Sequence, residues 1–153
     1  MMQSGRFTGL AWWTIGLVGA HLVVEIVHGT AHFVLGIVPP PVDIAFITIV
    51  IGLLPLIALP FVLRGSRAAM AILTLAFAAS WLYGMVNHFI IEGADHVTGM
   101  SHGAWQTTFT ITGVLLLILE AAGTLLAAWL FWRASRTRLR GASAREASSF
   151  TTR

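Results

Sequence analysis

The chain has 153 residues, of which 57% are hydrophobic and only 10% charged, with no Cys and no Lys. Soluble domains carry about one quarter charged residues, so a water-soluble single domain is excluded, and so much apolar character excludes intrinsic disorder. The missing Cys exclude disulfides, iron–sulfur clusters and thiolate metal sites, and the formal charge of +3 rests on nine basic residues that are all Arg.

Four apolar stretches follow one another along the chain. The first runs from about Phe7 to Phe33 and is stopped by Pro39-Pro40-Pro41, which cannot continue a helix. The second spans Ile44–Leu63 and holds no ionisable side chain. After Arg64-Gly65-Ser66-Arg67 comes the third, Ala68–Ile91, and beyond a Gly-rich connection the fourth, Trp105–Trp132. Each is long enough to cross a hydrocarbon layer of roughly 30 Å as a helix, which satisfies its own backbone polar groups in lipid. The expected fold class is therefore all-α, an integral membrane four-helix transmembrane bundle over residues 1–133. The Arg-rich segment 134–153 is expected to be a short helical extension that frays into disorder.

The arginines predict the orientation. Arg6 precedes the first span, Arg64 and Arg67 separate the second from the third, and Arg133, Arg136, Arg138, Arg140, Arg145 and Arg153 follow the fourth. The two remaining connections contain none, so the positive-inside rule places both termini in the cytoplasm and the protein in the plasma or inner membrane. Trp12, Trp13, Trp105, Trp129 and Trp132 lie near span ends, as interfacial belts do. The tail reads as an orientation signal with a pull on anionic lipid, and no nucleic-acid partner is expected of so short a segment without a fold signature. The first span has one preceding Arg and no small-residue cleavage site after it, so it reads as retained rather than as a signal peptide.

Ionisable residues inside a membrane are costly unless partnered and mark function. On the first span His21, Glu25, His28 and His32 fall within a sector of roughly 60° at helical spacing, a single polar stripe. On the third, His88, Glu92 and Asp95 repeat the His-x3-acid-x2 spacing of His21-Glu25-His28, as two related hairpins would. Counting residues up from the arginine end puts His28, His88 and Thr112 on one level, and His21 with Glu120 on another near the midplane. His96 and His102 stand on the connection that follows.

Imidazole with carboxylate suits a transition metal. The expected ligand set is Glu25, His28, His32, His88 and Glu92, with His96 and His102 closing the site from the loop. Glu25, Glu92 and His96 are also candidate catalytic proton carriers, while Thr108 and Thr112 are placed to orient a bound water or oxygen species. His21 and Glu120 read as a proton relay or as a structural pair. The function expected is a membrane metal-binding protein, with Fe, Cu or Zn, acting as an oxidoreductase on a small or lipid-soluble, quinone-like substrate from the extracytoplasmic side. The competing cofactor is haem b, with His28 and His88 as axial ligands in an electron-transfer subunit. Metal or proton transport and a non-catalytic role in a larger membrane complex are the further alternatives, and so short a chain also invites homo-oligomerisation.

Overall fold

The computed structural model describes residues 4–99 and 103–151, with side chains over 9–10, 12–99 and 103–137. All regular structure among them is helical, in four long elements: α1 (Ser4–Val34), α2 (Pro41–Leu63), α3 (Arg67–Ile90) and α4 (Ala104–Thr151). Each is long and apolar enough to cross a membrane, with spanning segments Trp12–Val34, Pro41–Leu63, Arg67–Ile90 and Ala104–Thr137. The backbone of α4 continues as helix through the Arg-rich segment to Thr151.

The turns follow from local chemistry. α1 ends in a Schellman motif: the Gly36 N–H donates to Phe33 C=O and the Ile37 N–H to His32 C=O. Gly36 holds φ +70° there, a left-handed conformation that a Cβ disfavours. The same device closes α2, where Gly65 at φ +81° donates to Val62 C=O and Ser66 to Phe61 C=O. Ser66 then caps α3, its Oγ accepting from the Ala69 N–H at 3.3 Å. Pro40 occupies the cap position of α2, and Asp43 stands inside its first turn.

Two stretches depart from α-geometry. Within α2, Ile47–Leu53 is π-helical, and the Leu54 N–H reaches back five residues to Ile49 C=O. Pro55 follows directly, and because proline lacks an N–H and crowds the carbonyl four residues earlier, the wider turn lets the chain meet it without breaking. In α3, Val86–Ile90 is also π-helical, closed by the Ile91 N–H on Val86 C=O at 2.8 Å. π-turns redirect side chains and recur at functional sites; this one carries His88.

The helices pack antiparallel in succession, with α3 against α4 and α1 against α4 as the main contacts. At the arginine end the interior is apolar and closed, built from Val18, Val62, Met70, Leu73, Phe77, Ala127 and Leu130. Polarity is inverted relative to a soluble protein: Val23, Ile26, Phe33, Leu75, Ile118 and Leu125 face outward, whereas His21, His28, His88 and Glu120 are buried. An apolar exterior around a polar interior is what a hydrocarbon solvent selects, and it marks an integral membrane protein.

The tightest approach in this half is between Phe77 and Gly123, where a Cβ would stand 2.6–2.9 Å from three ring atoms. Gly123→Ala is expected to destabilise the bundle by about 1–3 kcal/mol through overpacking. Gly19→Ala, whose Cβ would meet nothing within 4 Å, is expected to leave stability unchanged. Unfolding of both variants in mixed micelles checks the pair; equal midpoints would contradict the packing described.

The expected hairpin repeat does not survive as a spatial one. His21 is buried in mid-bundle opposite Glu120, whereas its counterpart His88 sits at the end of α3, and Glu92 is exposed beyond that helix.

Candidate metal centre

Three imidazoles converge where α1, α3 and α4 meet. His28 and His32 are four residues apart on α1 and so lie one turn above each other on one face. His28 Nε2 is 3.2 Å from His88 Nε2 and 3.2 Å from His32 Nε2. One ring nitrogen from each residue falls within 4.8 Å of both others. The group is withdrawn from the surface: His28 is 5% exposed, His88 7% and the His32 side chain 12%.

The partners behind the rings decide which nitrogens face inward. Thr112 Oγ1–H donates within its own helix, to Thr108 C=O at 2.7 Å, and so can only accept from His28 Nδ1–H at 2.9 Å. His88 Nδ1–H donates to Asp95 C=O at 3.0 Å. In the tautomer with Nδ1 protonated on both rings, each Nε2 presents a lone pair toward the other across 3.2 Å. His32 Nδ1 lies 3.3 Å from Asp95 Oδ1, which turns its Nε2 to the same centre. A shared proton relieves one such contact at a time. A metal ion held by one nitrogen of each ring would relieve them all at once.

Around this centre stands a supporting layer of the kind that orients metal-binding imidazoles. The Asp95 carboxylate faces both His32 Nδ1 and His88 Nδ1, at 3.3 and 3.4 Å. It is held there because the loop folds back on α3: the Val97 N–H donates to His88 C=O, and Gln106 Nε2 donates to Val97 C=O. Neither His32 Nδ1 nor Asp95 Oδ1 completes a hydrogen bond among the described residues, so the pair is a close polar contact rather than a directed bond. Phe109, fully buried, stacks on His28 with centroids 4.6 Å apart and turns toward the edges of His32 and His88. Gly113 keeps α4 close, since a Cβ there would stand 3.5 Å from His28 Cε1.

Of the residues expected as ligands, the structure therefore joins His28, His32 and His88. Glu25 is one turn below His28 and lines a cavity beside the group. Glu92 is exposed on the connection, outside the three-histidine group. His96 turns to its own loop, its Nδ1 accepting from Thr98 N–H at 3.3 Å and facing Thr98 Oγ1 at 2.8 Å. His102 lies outside the described residues. Thr108 donates its hydroxyl to Ala104 C=O and supports Thr112 through its own carbonyl. Asp95 is the functional residue that sequence reasoning left out of the ligand set; its place three residues beyond Glu92 was the available signal, and the π-turn that swings it onto the rings was not legible.

Deeper in the bundle, His21 Nε2–H donates to Glu120 Oε1 at 3.3 Å, with both side chains almost fully buried. Phe77 meets the His21 ring edge-on at 5.1 Å. Below them begins the closed apolar half. Comparison with protein-family models, curated proteins and solved structures found no match.

Proposed function

We propose that this protein is a membrane metalloprotein that holds one transition-metal ion on the Nε2 atoms of His28, His32 and His88 and uses it as an oxidoreductase centre for a small or lipid-soluble substrate. The observation that carries the reading is the convergence of one ring nitrogen from each of three imidazoles, two of which have their opposite nitrogens hydrogen-bonded to other partners. Three ligands with a cavity alongside leave a coordination position open, the pattern of catalytic rather than structural sites. Fe, Cu and Zn all accept imidazole; a redox-active ion held here would supply electron transfer. The chain's own residues do the rest. Asp95 and Thr112 hold the rings in one tautomer, Phe109 shields them from water, and Glu25 offers a carboxylate to accept a proton inside the cavity.

The distribution of arginines supports placing this half of the bundle toward the extracytoplasmic side. The apolar packing beneath His21 and Glu120 favours a site served from one face over a route for transport. Haem is disfavoured by the donor set, because a third imidazole, His32, stands against the His28–His88 pair.

Elemental analysis and an absorption spectrum of the purified protein test the proposal together. The expected result is about one first-row metal per chain, no Soret band, and weaker uptake on acidification, because protons compete for the same lone pairs. Protein that folds and takes up no Fe, Cu or Zn on titration would end the metal reading.

A further inference from the structure

The cavity beside the three histidines has a volume of about 560 Å³, within the range of small-molecule sites. Its walls are largely apolar, and its polar groups gather at two levels. The imidazoles and Asp95 stand at one, Glu25 and Glu120 at the other, the seven residues from Glu25 to His32 amounting to about 10 Å along α1.

Where the cavity opens follows from how α2 sits. α1 meets α2 chiefly through Leu54–Leu63, the half nearest the arginines. In the other half the two helices part. Gly29 on α1 and Thr48 on α2 both line the cavity and are exposed, so the mouth lies between them. Both positions fall inside the spanning segments Trp12–Val34 and Pro41–Leu63, and Phe33 and Ile44 at the rim are exposed and apolar. The mouth between α1 and α2 therefore gives onto hydrocarbon, while residues 36–39 of the connection line the outer end of the cavity.

What enters from hydrocarbon must be apolar over most of its surface, and the interior asks for one polar contact in particular. Glu120 is engaged by His21. His21 and Glu120 act on the Glu25 carboxyl through charge, without a hydrogen bond to it, although a carboxyl group within a membrane is costly without a hydrogen-bond partner. A hydroxyl serves it in either protonation state, donating to a carboxylate or accepting from a carboxylic acid; an ether or carbonyl serves only the second. Phe33, Tyr83 and the imidazoles offer flat faces along the wall, which suits a planar ring.

We propose that this cavity binds hydroxylated ring compounds with an apolar tail, the quinol class, taken sideways from the bilayer between α1 and α2, with Glu25 receiving the head-group hydroxyl. As a substrate site it rests on the metal reading above; as a binding site it stands on the cavity alone.

The test is calorimetric titration of the full chain in nanodiscs with a benzoquinol bearing a decyl tail, with and without bound metal. Saturable binding is expected in the wild type. Thr48→Trp, which fills the mouth from an exposed position, is expected to weaken it at least tenfold and to leave metal content unchanged. Glu25→Leu removes an acid that no hydrogen bond ties to the fold; it is expected to weaken quinol binding about tenfold. No quinol binding to metal-loaded or metal-free wild type, equal affinity in wild type and Thr48→Trp, or equal affinity in wild type and Glu25→Leu would overturn the proposal without touching the metal site. Quinol binding in protein that takes up no metal would uphold the cavity and end the metal reading alone.

Discussion

His28→Ala is expected to abolish metal uptake while leaving a folded four-helix protein. His28 is the hub of the group, the one ring whose Nε2 is 3.2 Å from both neighbours. Its loss leaves His32 and His88 on different helices with no imidazole between them. Supporting residues that only orient ligands typically change metal affinity by about 10–100-fold, so loss of the central ligand should exceed about a hundredfold, below detection at stoichiometric loading. Asp95→Asn keeps the carbonyl that accepts from His88 Nδ1 but removes the charge facing two rings. It is expected to fall within that 10–100-fold range. Elemental analysis after desalting, alongside a competition titration with a chelator, reads both effects. Full occupancy in His28→Ala would place any metal elsewhere in the protein.

The second large effect is on stability. His21→Leu leaves the Glu120 carboxyl without its donor in an interior that is almost fully closed. A buried polar group stripped of its partner costs about 1–3 kcal/mol, and within the bilayer water is not at hand to replace it. Replacing both residues by Leu is expected to recover most of that loss, because no unpartnered group then remains. Denaturant titration of the wild type, both single variants and the double variant in mixed micelles measures the coupling. Additive single effects would show the two side chains to be independent. Unchanged metal content across the cycle is expected if the pair serves the fold alone, and a changed pH dependence of turnover with intact stability would assign it to a relay.

The stripe on α1 was legible because a helix imposes a regular rotation per residue: His21, Glu25, His28 and His32 had to share a face once the segment was helical. Counting from the arginine end also set His28, His88 and Thr112 at one height, and the structure joins them through contacts at 3.2 and 2.9 Å. Other features escaped that arithmetic. Glu92 has the spacing of a ligand but follows the π-turn at Val86–Ile90 and lies on the exposed connection, whereas Asp95 is folded back beneath the rings. A π-turn changes the rotation per residue, so regular helical counting fails at the point where it was needed. The cavity was hidden for a related reason. It arises from the parting of α1 and α2 above Leu54–Leu63, and no residue pattern within either helix encodes a gap between them.

Composition and the four apolar stretches together established that this chain has four helices fit to cross a membrane, since so few charged groups over so long an apolar chain leave no other solvent for it. Spacing alone established the polar stripe, because helical periodicity is a local property. Which imidazoles converge, which partners stand behind them and where α1 and α2 part were decided by tertiary structure. They depend on which side chains of different helices come within about 3 Å of one another, a distance set by packing and by local departures from the helix on which sequence arithmetic relies.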